Sequence, residues 1–147
     1  MDKKKNVIQF LGKNHPLSNF YEAHFDIDGI VYPTVEHYYQ SEKCINIQDK
    51  IKITITKEAK DAKRLGRKVK CRKDWNLVKK RVMWKALNAK FSQNIGLKEY
   101  LLNTGDCYLI EKNKYDEYWG IGGGGGKNIM GRLLILLRRK YKNECKL

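Results

Sequence analysis

Glu36, Gln40 and Lys43 carry a carboxylate, an amide and an amine at positions i, i+4 and i+7. At about 100° per residue, Gln40 and Lys43 each fall within roughly 40° of Glu36 on a helix. One face then projects all three groups together, with Tyr39 at its edge. A carboxylate beside an amine can perform general acid–base or nucleophilic work. The same spacing also describes a solvated polar face with a simple Glu–Lys pairing. The run His37-Tyr38-Tyr39 is dense in aromatic rings for a solvated face.

A second cluster is Tyr115-Asp116-Glu117-Tyr118-Trp119-Gly120-Ile121, followed by Gly122 to Gly126 and then Lys127-Asn128. Backbone N–H groups of a glycine loop at a helix N-terminus make an anion site. Asp116 and Trp119 directly before the glycines favour a ligand loop over a flexible connection. The formal G-x-G-x-x-G from Gly120 to Gly125 is nearly automatic in such a run, and the alternating strands and helices of a dinucleotide fold are missing. A phosphate-loop motif fails, with Ile121 at its first glycine and Asn128 where Ser or Thr must hold magnesium. A third cluster is His15-Pro16-Leu17-Ser18-Asn19-Phe20. A loop Asn such as Asn19 can hold a sugar hydroxyl or cap its own backbone.

The surrounding chain has 147 residues, 41% hydrophobic and 32% charged, which predicts one soluble globular domain spanning 1–147. Its 31 basic and 16 acidic residues leave +15. That charge favours polyanionic partners such as nucleic acid or phosphorylated metabolites, or reflects lysine enrichment from AT-rich coding. Between Lys57 and Lys90 stand fourteen basic and three acidic residues, with Trp75 and Trp84 interleaved. This stretch is either a phosphate-facing surface or a solvated one. Arg64 and Arg67, at i and i+3, are its best candidates for a specific phosphate contact. Cys44, Cys71, Cys107 and Cys145 lie 27, 36 and 38 residues apart, and His15, His24 and His37 form no ligand spacing with them. That pattern predicts no metal site and reduced cysteines in an intracellular, cytoplasmic protein. The start, Met1 to Asn6, lacks a signal-peptide core, and the longest apolar run, Leu133 to Leu137, is too short for a membrane span.

The elements that must position these groups read as α+β, mostly helical, with a small antiparallel sheet and about five helices. Val7 to Leu11 reads as a strand, and Glu22 to Ile27 with Ile30 to Tyr32 flank Asp28-Gly29 as a hairpin. Thr34 caps a helix running to about Ile45. Lys50 to Thr54 is ambiguous, and Lys57 to Leu65 reads as a helix capped by Thr56 and stopped by Gly66. Asp74 caps the longest helix, Trp75 to Gln93, whose stripe is Trp75, Val78, Val82, Ala86 and Ala89, with Lys79 and Lys90 beside it. Gly96 punctuates before a short helix, Leu97 to Asn103, and Cys107 to Glu111 reads as a strand. Asn128 caps a final helix to about Tyr141, which Leu133 to Leu137 mark as largely buried.

Six blocks in order carry a resemblance over nearly the whole chain. They are LSNFY at Leu17 to Tyr21, DGIVYPTVEHYYQSEK at Asp28 to Lys43, and AKRLGR at Ala62 to Arg67. DWNLVKKRVMWKALNAKFSQN follows at Asp74 to Asn94, then LLNTGDCYLIE at Leu101 to Glu111 and DEYWGIGGGGGKNIMGRLL at Asp116 to Leu134. In these blocks the chain resembles the YbiA-like, or NADAR, family of N-glycosidases. It departs from the family at Ser41-Glu42, where Ala-Gln is usual, and in its purely glycine loop.

The resemblance implies a YbiA-like fold and hydrolysis of an N-glycosidic bond on a ribose phosphate. The substrate would be a ribosylamino-pyrimidine phosphate of early riboflavin synthesis or ADP-ribose on guanine in nucleic acid. It implies no cofactor, and nucleic acid enters only as a possible partner. Glu36 and Asp116 would then stabilise oxocarbenium character or act as acid and base. Lys43 would be a nucleophile forming a Schiff base, or a phosphate or carboxylate partner. Tyr39, Trp75 and Trp119 would stack on the base, with Trp75 equally placed to be core. Asn19 and Phe20 would meet the sugar, and Gln40 would join the helix face. Gly122, Gly123, Lys127 and Asn128, with Arg64 and Arg67, would take phosphates. The alternative is a non-catalytic module that binds ADP-ribose or nucleic acid.

Overall fold

The computed structural model describes residues 6–146; the first five positions of the charged start read above lie outside the described residues. In chain order the elements are β1 (Val7–Phe10), β2 (Phe25–Ile27), β3 (Ile30–Tyr32), α1 (Val35–Glu42), α2 (Ile47–Thr54), α3 (Ala59–Gly66), α4 (Trp75–Gln93), α5 (Ile95–Asn103), β4 (Tyr108–Glu111) and α6 (Ile129–Glu144). The class is α+β, with six helices among the described residues. The elements gather into two units, Asn19–Asn94 and the described parts of Met1–Ser18 with Ile95–Leu147.

In the unit Asn19–Asn94, β2 and β3 pair antiparallel, Phe25 opposite Tyr32 and Ile27 opposite Ile30. Asp28 and Gly29 turn the chain with φ of 53° and 84°, the double left-handed turn that matches strand twist. Gln93, at the end of α4, clamps the hairpin by accepting from Asp26 N at 2.7 Å and donating to Asp26 O at 2.8 Å. Thr34 caps α1 as the sequence predicts, its hydroxyl accepting from His37 N. From Val35 to Ser41 every residue of α1 is buried, because α2, α3 and α4 all pack against it. The polar ones are bonded, as buried polar groups must be. His37 bonds Thr34 Oγ1 at 2.7 Å and Thr56 O at 2.9 Å, and burial holds its pKa below the usual value. Ser41 Oγ donates to Tyr38 O at 2.8 Å.

Several caps differ from expectation because another group takes the side chain. α1 ends at Glu42 rather than near Ile45, with Lys43 as its C-cap. The ambiguous stretch is helical from Ile47, capped by Asn46, whose side chain accepts from Gln48 N. α3 begins after Glu58, and Thr56 Oγ1 donates back to Ile53 O instead of capping it. Asp74 occupies the N-cap position of α4 without a capping bond, because Arg72 holds its carboxylate at 2.6 and 2.9 Å. The buried face of α4 includes Met83, Leu87, Lys90 and Phe91, while Ala89 is only half-buried.

In the other unit, β1 and β4 run parallel, Val7 opposite Tyr108 and Phe10 opposite Glu111. Among the strands of the described residues, only the hairpin pairs antiparallel, so the expectation of one antiparallel sheet is corrected here. α5 includes Gly96 in its first turn, so that glycine does not punctuate. α6 packs on β4. It is buried along Met130, Leu133, Leu134, Leu137 and Tyr141, but Leu136 is 47% exposed, so the helix is one-sided. The Arg138 guanidinium, itself buried, donates to Thr104 Oγ1 at 2.9 Å and Cys107 O at 3.0 Å, closing the turn between α5 and β4.

Candidate active site

On α1 the three expected side chains form one hydrogen-bonded line. Gln40 Nε2 donates to Glu36 Oε1 at 2.8 Å, and Lys43 Nζ donates to Gln40 Oε1 at 3.3 Å. Glu36 and Gln40 are 6% and 5% exposed, which rules out a solvated face. Lys43 Nζ also donates to Gly66 O at 3.3 Å, at the end of α3. The amine thus rests on two neutral oxygens. Glu42, the departure from the family pattern beside it, is held by Lys50 at 2.7 Å. Gly66 makes the line possible: a Cβ there would land on Gln40 Oε1 and stand 2.6 Å from its Cδ.

Asn19 lies against the start of this line. Its carbonyl accepts from Glu36 N at 3.2 Å, and its Nδ2 lies 3.6 Å from Met83 Sδ. Phe20 is half-buried, with Lys63 Nζ 5.8 Å from its ring centre. Tyr39 and Trp75 pack on each other with ring centres 4.9 Å apart, both buried. Both rings are therefore part of the core around the head of α4. Arg67 is exposed beside Gly66, and Arg64 is exposed with Asp61 3.5 Å away.

The glycine turn differs from its expected form. Many of its amides are bonded within the protein. Gly122 N donates to Asn113 O and Asp116 O, Gly124 N and Gly126 N donate to Ile121 O, and Asn128 N donates to Gly120 O. The first amides of α6 are filled too, Ile129 N by Tyr118 O and Met130 N by Trp119 O. The chain's own carbonyls thus take the amides at that helix start. Gly122 is held by backbone bonds at φ 57°, where a Cβ would meet Glu117 Cγ at 2.7 Å. Gly123 is exposed with open space around its Cα.

Asn128 occupies the expected N-cap position of α6, but its side chain makes no capping bond. It sits at φ 49°, and its side chain accepts from Glu111 N and donates to Leu109 O, both at 3.0 Å, binding β4 like a neighbouring strand. Asp116 Oδ1 accepts from Tyr118 N at 3.0 Å and Trp119 N at 2.8 Å, which makes it first a turn-forming residue. The Trp119 ring is half-buried, edge-on to Tyr118 at 4.8 Å. Lys127 is exposed, its Nζ 5.9 Å from the Tyr118 ring centre.

The sequence placed Lys90 beside the apolar stripe of the longest helix, at an edge either wet or functional. It is fully buried in α4, its Nζ 5.6 Å from the Tyr21 ring centre and 5.1 Å from that of Phe91. Burial brings its pKa down to about 7. Its position beside the apolar stripe was the available signal. Gly66 was legible only as a helix stop. Most other bases of the Lys57–Lys90 stretch are exposed, as a solvated surface requires. Among the described residues, no helix is long and apolar enough to cross a membrane.

Residues 8–142 match the NADAR domain family. The N-glycosidase YbiA of Escherichia coli is 41% identical over 130 residues, which covers 86% of this chain and 81% of that one. An N-glycosidase of Nostoc punctiforme is 36% identical over 132 residues, covering 86% and 85% respectively. A riboflavin biosynthesis protein of Vibrio vulnificus is 37% identical over 137 residues, covering 90% of this chain and 37% of that longer protein. The NMR structure of E. coli YbiA matches with a TM-score of 0.87 at 37% identity, over 97% of this chain and 88% of that one. The chain belongs to the NADAR family.

Proposed function

We propose that this chain is an N-glycosidase that hydrolyses the C1′–N bond of a ribose-phosphate N-glycoside, with Glu36 and Lys43 at its centre. The line from Glu36 through Gln40, both buried, to the half-buried Lys43 carries the reading. Cleavage sends the bond's electrons to the nitrogen, which takes up a proton, while water adds to C1′. Positive charge grows on the sugar in between. A carboxylate held out of water stabilises that charge more strongly than a solvated one. Gln40 orients Glu36 by its N–H and Lys43 by its carbonyl oxygen, so one amide fixes both groups. Arg64 and Arg67, exposed in the unit that holds α1, are the cations there suited to phosphate. Asp116 acts through the turn that it caps.

Two substrates fit the class. The names of relatives in riboflavin biosynthesis favour a ribosylamino-pyrimidine phosphate, and the net charge of +15 favours ADP-ribose on guanine in nucleic acid. Purified protein is offered both, and released base or ribose phosphate is measured by chromatography. Release from either supports the reading. Tight, salt-sensitive binding with no product from either would instead make the chain a binding module. Borohydride added during turnover decides the role of Lys43. A sugar-derived mass on its peptide shows the imine of a nucleophilic amine, and turnover without that mass assigns Lys43 an electrostatic role.

A further inference from the structure

Just after α1 the chain meets the segment before α4 in a single antiparallel bridge, with Cys44 opposite Cys71. The bonds around it define its geometry. Ile45 N donates to Lys70 O at 3.4 Å, and Arg72 N donates to Lys43 O at 2.9 Å. The two cysteines are therefore a non-hydrogen-bonded pair. In such a pair the Cα atoms lie about 4.5 Å apart and the side chains share one side. A disulfide needs a Cα separation of roughly 4.4–6.8 Å. Both thiols are free. Each now faces a backbone carbonyl, Cys44 Sγ that of Gln40 at 3.6 Å and Cys71 Sγ that of Arg72 at 3.4 Å. At the spacing usual for such a pair, rotation about the side-chain bonds is enough to bring the sulfurs together.

We propose that Cys44 and Cys71 are a reversible dithiol–disulfide switch acting on the Lys43 end of the site. Its regulatory part rests on the reading of Lys43 given above. Lys43 is part of the same bridge, since its carbonyl receives Arg72 N and Cys44 follows it directly. The oxidant is a small-molecule disulfide such as oxidised glutathione. Cys71 is exposed, so its thiolate attacks first, forming a mixed disulfide and releasing one thiol. Cys44 is half-buried and stands directly opposite Cys71, so it resolves the mixed disulfide in the second step. Cys44 loses its proton, attacks the Cys71 sulfur and releases the second thiol. Two protein thiols are oxidised and one small disulfide is reduced to two thiols. The new bond ties the C-cap of α1 to residues 70–72 and restrains the backbone from which Lys43 reaches substrate.

The test uses the full chain carrying Cys107→Ser and Cys145→Ser, treated with oxidised glutathione, alkylated and mapped by mass spectrometry. The expected product joins the Cys44 and Cys71 peptides with two hydrogens lost, and dithiothreitol reverses it. Labelling of Lys43 by an amine-reactive ester, quantified on its peptide, is expected to slow several-fold in the oxidised protein. Adding Cys71→Ser is expected to abolish both effects. Glutathione on both cysteines without a cross-link overturns the switch, and so does a cross-link that leaves Lys43 labelling unchanged. Failure of the N-glycosidase reading shows separately, as no base released by the reduced protein.

Discussion

On α1 the backbone is fully used by the helix, and side chains are left to do chemistry in a dry setting. In the 116–131 turn the useful groups were to be backbone amides, and the fold uses many of them in holding the turn and the start of α6. Side chains at i, i+4 and i+7 need only a helix to converge. Amides need acceptors wherever they are buried, and the nearest acceptors are the turn's own carbonyls. A glycine run near acids therefore marks a tight structure as readily as a ligand cradle.

The comparison breaks first if the unit holding α1 is wet inside, and Lys90 reports on that. Its pKa is about 7 folded, against an ordinary value of 10.5. Between those values the unfolded chain binds a proton that the folded chain does not, so stability rises with pH across that window. The cost of burying this amine is therefore fully present below pH 7, on the order of 5 kcal/mol, and vanishes as pH approaches 10.5. Lys90→Met is expected to raise Tm most at pH 6–7, with the gain shrinking towards pH 10. Parallel Tm curves for the two proteins would show a hydrated lysine.

Glu36→Gln tests the chemistry on the dry side. The amide retains size and hydrogen bonding but not charge, so base release is expected to fall by about two orders of magnitude or more, with Tm nearly unchanged. Unchanged turnover removes Glu36 from the mechanism. Gly66→Ala comes next. Its methyl displaces the buried Gln40 amide, at an expected cost of about 1–3 kcal/mol seen in chemical denaturation. Activity is expected to fall with it, since Gln40 joins Glu36 to Lys43. Full activity in a destabilised Gly66→Ala would make the line a packing device only.

What the sequence disclosed follows the same division between local and distant causes. Thr34, the Glu36-Gln40-Lys43 spacing and the Asp28-Gly29 turn act within a few residues, and each is where the residues predicted. α2 was ambiguous because Ile51, Ile53, Thr54 and Ile55 have strand propensity, which packing against α1 overrides. The parallel pairing of β1 with β4 joins residues about a hundred positions apart and leaves no local trace. Asn128 looked like a cap because caps are its commonest use, and only β4 as a neighbour shows its amide bridging Leu109 and Glu111. The spacing left the edge at Lys90 either wet or functional, and the rings of Tyr21 and Phe91, distant or hidden in the local pattern, are what enclose its amine.

Asp116 gives the smallest effect and separates the two regions most directly. Its Oδ1 receives two amides, a role that Asn can keep and Ala cannot. Asp116→Ala is expected to cost about 0.5–2 kcal/mol, as loss of a capping side chain does, read as a lower denaturation midpoint. Asp116→Asn is expected to match the unmodified protein in stability and nearly in rate. If Asp116→Asn kept its stability but lost rate on the scale of Glu36→Gln, the charge of Asp116 would act on the sugar. The turn would then carry chemistry of the same kind as α1, and the division between dry side chains and structural amides would fail at this residue.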